Sequence, residues 1–172
     1  MTRIVHFTDM HLRWHQSGSA IDPLRLSREM PTLLDRFSKC LENHNPDVLV
    51  MSGDVLDTPG IVLKGGSPDH KTHDEWIEDA KADFTLVKEW FEGTSIPYVV
   101  VPGNNDHEGA FASVFGGPPE PVDIAGLRFF CFWDESSQYF HRSNVLVSRW
   151  ARFLSASQST TAPQQRHLPD VR

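Results

Sequence analysis

The sequence predicts an α/β domain built on a parallel sheet, and two observations carry that reading. Short apolar, β-branched runs at Ile4-Val5-His6-Phe7, Val48-Leu49-Val50-Met51 and Val99-Val100-Val101 alternate with stretches of helical periodicity. Each run then stops at a polar cluster: Thr8-Asp9-Met10-His11, Ser52-Gly53-Asp54-Val55-Leu56-Asp57 and Pro102-Gly103-Asn104-Asn105-Asp106-His107. Open α/β sheets carry their chemistry at such strand ends.

Taken in order, residues 3–7 form the first strand, read like the other two as buried on both faces. Asp22-Pro23 is a helix start, a capping carboxylate followed by a proline whose missing N–H costs nothing there. Leu26, Met30, Leu33, Leu34, Phe37, Cys40 and Leu41 then recur at helical spacing, and Pro31 predicts a kink in a helix that continues to about Asn43. The second strand spans 48–52. Residues 58–71, with Pro59, Gly60, Gly65, Gly66 and Pro68, read as a loop. Thr72 and Glu75 make a capping box for a helix that buries Trp76, Ile77, Ala80, Phe84, Val87 and Phe91 and ends at Gly93.

The third strand spans 96–101, and alternation of strand and helix implies right-handed crossovers. A short helix over 109–115 follows, then a hairpin of 122–125 and 127–133 about Gly126. Val147, Trp150 and Leu154 give 145–156 a weak helical pattern. Residues 155–172, rich in Ser, Thr, Gln and Pro, read as a disordered tail beyond a domain of residues 1–154.

The 172 residues suffice for one domain with a core. A formal charge of −7 and the lack of a Lys/Arg run argue against binding to a nucleic-acid backbone. With no apolar stretch of membrane-spanning length and no signal-peptide pattern, the expectation is a cytoplasmic protein that does not engage a membrane. Cys40 and Cys131 sit among apolar neighbours and read as buried free thiols.

Asp9 and His11, two residues apart, would face one way on extended backbone and converge on one ion. Gly53 permits a tight turn that leaves Asp54 at a strand end, able to bridge two cations. Asn104 offers a neutral carbonyl oxygen suited to Mg²⁺ or Mn²⁺. Each motif alone also fits an ordinary turn. Their order, one after each strand, is what points to a metal site.

Asp-x-His, then Gly-Asp-x-x-Asp, then Gly-Asn-x-Asp after Ile-Pro-x-Val-Val-Val-Pro resembles the calcineurin-like metallophosphoesterase family over residues 3–133. The resemblance implies a four-layer α/β sandwich and a two-metal centre that hydrolyses phosphomonoesters or phosphodiesters. By motif position, Asp9 and His11 would bind one divalent ion (Mn, Mg, Fe or Zn), Asp54 would bridge, and Asn104 would bind a second.

Two departures stand out. Asn105 occupies the position of a histidine that assists the leaving oxygen. An amide donates a hydrogen bond but no proton, which leaves His107 as the other candidate for a catalytic role and Asp57 without the histidine it would orient. The family's later ligand-histidine strand and its Gly-His-x-His motif are absent; His141 and His167 follow His107 singly. The expectation is therefore a partial sandwich, from a chain incomplete on its carboxyl side, with one strong ion, one weak ion and reduced turnover. Alternatives are an inactive remnant that binds a metal or a partner, and a plain α/β binding domain. His70 and His73 read as solvated residues at a helix entry, and Trp14 and His15 as loop residues away from the pocket mouth.

Overall fold

The computed structural model describes residues 1–18, 25–117 and 120–131 and the backbone of 154–155. Their elements are β1 (Ile4–Phe7), α1 (Met30–His44), β2 (Val48–Ser52), α2 (Gly60–Leu63), α3 (His73–Gly93), β3 (Tyr98–Val101), α4 (Glu108–Phe115), β4 (Val122–Ile124), β5 (Leu127–Phe129) and β6 (Leu154–Ser155). The first three strands form a parallel sheet with β2 central, Ile4 opposite Val48 and Leu49 opposite Tyr98. The last three form a second, antiparallel sheet.

Side chains alternate across the parallel sheet and so divide the core in two. Leu49 and Met51, with Val5, Phe7, Tyr98 and Val100, pack against Leu34 and Leu41 of α1, Phe84, Val87 and Phe91 of α3, and Phe111 of α4. Val48, Val50 and Val99 turn to the opposite face, where Phe129 covers them with Ile124 and Leu127 of the hairpin. Helices, parallel sheet and antiparallel sheet are thus stacked around β2, the strand buried along most of its length. This is the α/β class expected from the alternation of runs and helices.

Burial of all three strands on both faces was not found. β3 alternates between buried and half-buried, and β1 between exposed and half-buried, with Ile4 36% exposed. β1 is an outer strand of the described sheet, and the apolar hairpin cover on this face is centred on Val48, Val50 and Val99 of β2 and β3.

Local chemistry accounts for the element ends. The capping box at α3 forms as predicted: the Thr72 hydroxyl accepts from the Glu75 N–H, and the Glu75 carboxylate accepts from the Thr72 N–H at 2.7 Å. Pro31 does not kink a longer helix. It occupies the first turn of α1, which starts at Met30, because Leu26 takes a φ of 51° and ends any helical path before it. The Asp22-Pro23 start lies outside the described residues.

The 58–71 segment is not all loop, since Pro59 leads into the four-residue α2, anchored by fully buried Val62. The hairpin turns through Ala125 and Gly126, both at positive φ, as a two-residue turn requires. Leu154–Ser155 is a strand rather than helix, because the free edge of β5 pairs with it. The rest of 145–156, and the tail beyond, lie outside the described residues. Both cysteines are free; Cys131 is half-buried, which raises its thiol pKa, whereas Cys40 falls off the apolar stripe of α1 and is exposed. No described helix is long and apolar enough to cross a membrane.

A buried carboxylate ties the loop after β1 to α3. Asp83, fully buried, accepts from the backbone N–H groups of Trp14, His15 (2.7 Å) and Gln16, and pairs with His15 Nδ1 at 2.9 Å. Three amides depend on it. Asp83→Ala should therefore lower unfolding free energy by about 3 kcal/mol or more, measured by urea denaturation, since each buried donor left unpaired costs about 1–3 kcal/mol. A loss within about 0.5 kcal/mol, the range of ordinary surface substitutions, would count against this anchoring.

Candidate metal centre

Beyond the carboxyl ends of β1 and β2 the two chains stay hydrogen-bonded. Asp9 N–H donates to Gly53 O at 3.1 Å, His11 N–H to Asp54 O at 3.0 Å and Leu12 N–H to Val55 O at 2.9 Å. That seam carries the predicted ligands, though not on extended backbone as expected. Asp9, His11 and Asp54 all adopt left-handed φ values, of 56°, 50° and 52°. Residues other than glycine rarely do so, and they persist there only where surroundings enforce it. Asp9 and His11 converge because both are turned this way around Met10.

Close approach of the β2 and β3 turns supplies the enforcement. Gly53 sits at a φ of +98°, and a Cβ on it would lie 3.0 Å from Gly103 Cα. A Cβ on Gly103 would fall 2.0 Å from Asp54 N and 2.1 Å from Asp54 Oδ1. Only glycine fits at 103. Asp106 then joins the turns: its buried carboxylate accepts from Gly103 N–H at 2.6 Å, Leu56 N–H at 2.7 Å and Val55 N–H at 3.1 Å. Burial pushes its pKa up to about 7, Asp54 adds to the rise, and the three amides oppose it.

Asp9, His11 and Asp54 bring one ligand atom each to within 4.8 Å of one another. His11 Nε2 lies 3.7 Å from Asp9 Oδ1 and 3.9 Å from Asp54 Oδ2. Ligands around a tetrahedral ion sit roughly 3.4 Å apart, so His11 stands close to ligand spacing from both carboxylates, and the three side chains would fill three positions around an ion and leave a fourth open. The donor set, one imidazole and two carboxylates, suits a divalent ion of borderline hardness. Buried His11 Nδ1 has no hydrogen-bond partner and faces Asp57 Oδ1 at 3.9 Å, where a small shift would form the carboxylate–histidine pair that orients metal-binding imidazoles. The residues fit a cation.

Asp57 is held in turn by Arg25 Nη1 at 2.6 Å and Arg13 Nη1 at 3.8 Å. Burial lowers the Arg13 pKa, and Asp57 counteracts that fall. These arginines were missed in the sequence because their spacing matches no ligand pattern; only the structure makes them partners of Asp57.

The remaining candidates occupy distinct places. Asn104 is exposed at the head of the turn after β3. Asn105 bonds Asp54 twice, through its backbone N–H to Oδ1 (2.9 Å) and its side-chain Nδ2 to Oδ2 (2.8 Å). His107 is the N-cap of α4, its Nδ1 accepting from Ala110 N–H at 3.2 Å. Burial, and then His73, whose ring centroid is 6.0 Å away, lower the His107 pKa. His73 opens α3 and hydrogen-bonds Gly66 O through Nδ1. His70 is exposed, Trp14 is half exposed, and His15 is turned onto Asp83.

Comparison with known families places this geometry in context. Residues 2–164 match the family model of the calcineurin-like phosphoesterases. Among curated proteins the chain has no match.

Two measurements test this description. Gly103→Ala should displace Asp54, lower stability by about 1–3 kcal/mol as overpacking does, and weaken Mn²⁺ binding in calorimetry; unchanged affinity would contradict the steric argument. The second concerns Asp106, whose folded-state pKa exceeds the ordinary carboxyl value, so the native state binds more protons between the two. Its contribution is therefore full at low pH and declines as pH rises through about 7. In metal-free urea titrations, the stability advantage of wild type over Asp106→Asn should shrink between pH 5 and pH 8. A gap that widens with pH would contradict it.

Proposed function

The chain belongs to the calcineurin-like phosphoesterase family, and from that premise we propose that it hydrolyses a phosphomonoester or phosphodiester at the Asp9–His11–Asp54 centre. The observation that carries the reading is the convergence of one imidazole and two carboxylates from three left-handed positions above the central strands. When bound, divalent ions supply Lewis acidity that polarises phosphoryl oxygens and acidifies a water. Asp9, His11 and Asp54 would hold the first ion. Asp54 and Asn104 would offer oxygens to a second, a set too small for tight binding without substrate phosphate.

The protein's own groups divide the remaining work. Asp57, fixed by Arg25 and Arg13, steadies the buried side of His11. Asn105 stands where the resemblance places a histidine; one N–H of its side-chain amide goes to Asp54 Oδ2, and the second is left to stabilise the departing oxygen without transferring a proton. His107 is the other candidate at this step; its capping bond and lowered pKa favour the neutral ring and speak for Asn105. No His-x-His pair follows Asn104 in the sequence, so the ligand set is leaner than the family pattern and turnover is expected to be low.

Mn²⁺-dependent hydrolysis of bis-p-nitrophenyl phosphate, a cytoplasmic-pH assay with Asp54→Asn alongside, tests the reading. Wild type should turn over, and the variant should lose more than the roughly 10–100-fold that removing an outer-shell partner costs. Absence of turnover in folded, Mn²⁺-loaded wild type would favour a metal-binding interaction module without catalysis.

A further inference from the structure

Asn105 holds Asp54 by both of its oxygens. The backbone N–H engages Oδ1 and the side-chain amide engages Oδ2, which together fix the carboxylate about its terminal torsion. Oδ1 is also packed against the β3 turn, 2.1 Å from where a Gly103 Cβ would stand. Oδ2 is the oxygen that looks toward His11 Nε2, at 3.9 Å. A carboxylate has about four lone-pair sites. On Oδ2 one is taken by the Asn105 amide, and another remains for the cation shared with Asp9 and His11. With one site on Oδ2 taken by the Asn105 amide, that oxygen could not also serve two cations, and a second would fall to Oδ1, which is engaged by an amide and crowded by backbone.

We propose that Asn105 is a positioning residue that commits Asp54 to one cation, so that the centre takes a single divalent ion in the absence of phosphate. The inference rests on reading Asp9, His11 and Asp54 as metal ligands, and it concerns a position where this chain departs from the family pattern rather than one of the family's ligands. The side-chain amide is neutral. It therefore orients Oδ2 without reducing the negative charge that attracts the ion, unlike a cationic donor at the same place.

Calorimetric titration of the full chain with Mn²⁺ alone, in phosphate-free buffer, separates the possibilities when wild type and Asn105→Ala are compared and the apo melting curves are recorded. Wild type should bind one Mn²⁺. Asn105→Ala should bind it about 10–100-fold more weakly while the apo protein still melts cooperatively, the loss expected for an outer-shell partner. Two tight Mn²⁺ sites in wild type, or equal affinity in a folded variant, would overturn the proposal and leave the metal centre standing. No Mn²⁺ binding by wild type would overturn both. Should Asn105→Ala fail to fold, Asn105→Ser takes its place in the same titration with the same weakening expected, and two tight Mn²⁺ sites in wild type refute the proposal whichever variant folds.

Discussion

Asp106 accepts three backbone N–H groups, one from the turn after β3 and two from the turn after β2, and the geometry of the centre depends on that junction. The two turns approach so closely that a Cβ on Gly103 would overlap Asp54. Glycine removes the steric barrier, and the carboxylate supplies the attraction. Hydrogen bonds to a charged group contribute about 1.5–3 kcal/mol each, against a burial penalty that lifts the Asp106 pKa to about 7. A metal ligand cannot be held to fractions of an ångström by a loop that drifts. Here the β2 loop is fastened to β1's exit by backbone bonds and to β3's exit by Asp106.

The same fastening explains why the three residues of the candidate centre share an unusual backbone conformation. A left-handed φ at Asp9, His11 and Asp54 aims side chains that ordinary strand geometry would point to the two faces of the sheet. The cost is local strain, and it falls where the surrounding hydrogen bonds are densest. Asp83 performs a related task farther out, securing the loop that continues from His11 onto α3 by three backbone amides. Positive charge enters at one remove: Arg13 and Arg25 together more than offset the charge of Asp57, which faces His11.

Much of this was legible in the sequence. β2 and the capping box of α3 stand where periodicity and Thr72-x-x-Glu75 put them, because both are local signals that tertiary contacts reinforce. The Asp9, His11 and Asp54 motifs could be read together because each follows its own strand. Less legible was whatever depended on neighbours distant in sequence. The β-branched runs look alike, yet β1 is half exposed since hairpin cover depends on residues more than a hundred positions later. Pro31 fits a kink and a fresh start equally well, and Leu26 at positive φ decides between them. Asp83 lies within an amphipathic helix, where nothing in the spacing distinguishes a buried anchor from a solvated acid.

The departure at position 105 ties these strands of argument together. A histidine there would bring a titratable proton to the leaving oxygen; an amide brings a fixed donor, and the structure directs that donor to Asp54. Asp57 pairs with Arg25 and Arg13 and turns its Oδ1 toward the buried nitrogen of His11. The expected consequence is a centre whose ligands are well ordered before any ion arrives, and whose proton delivery depends on solvent.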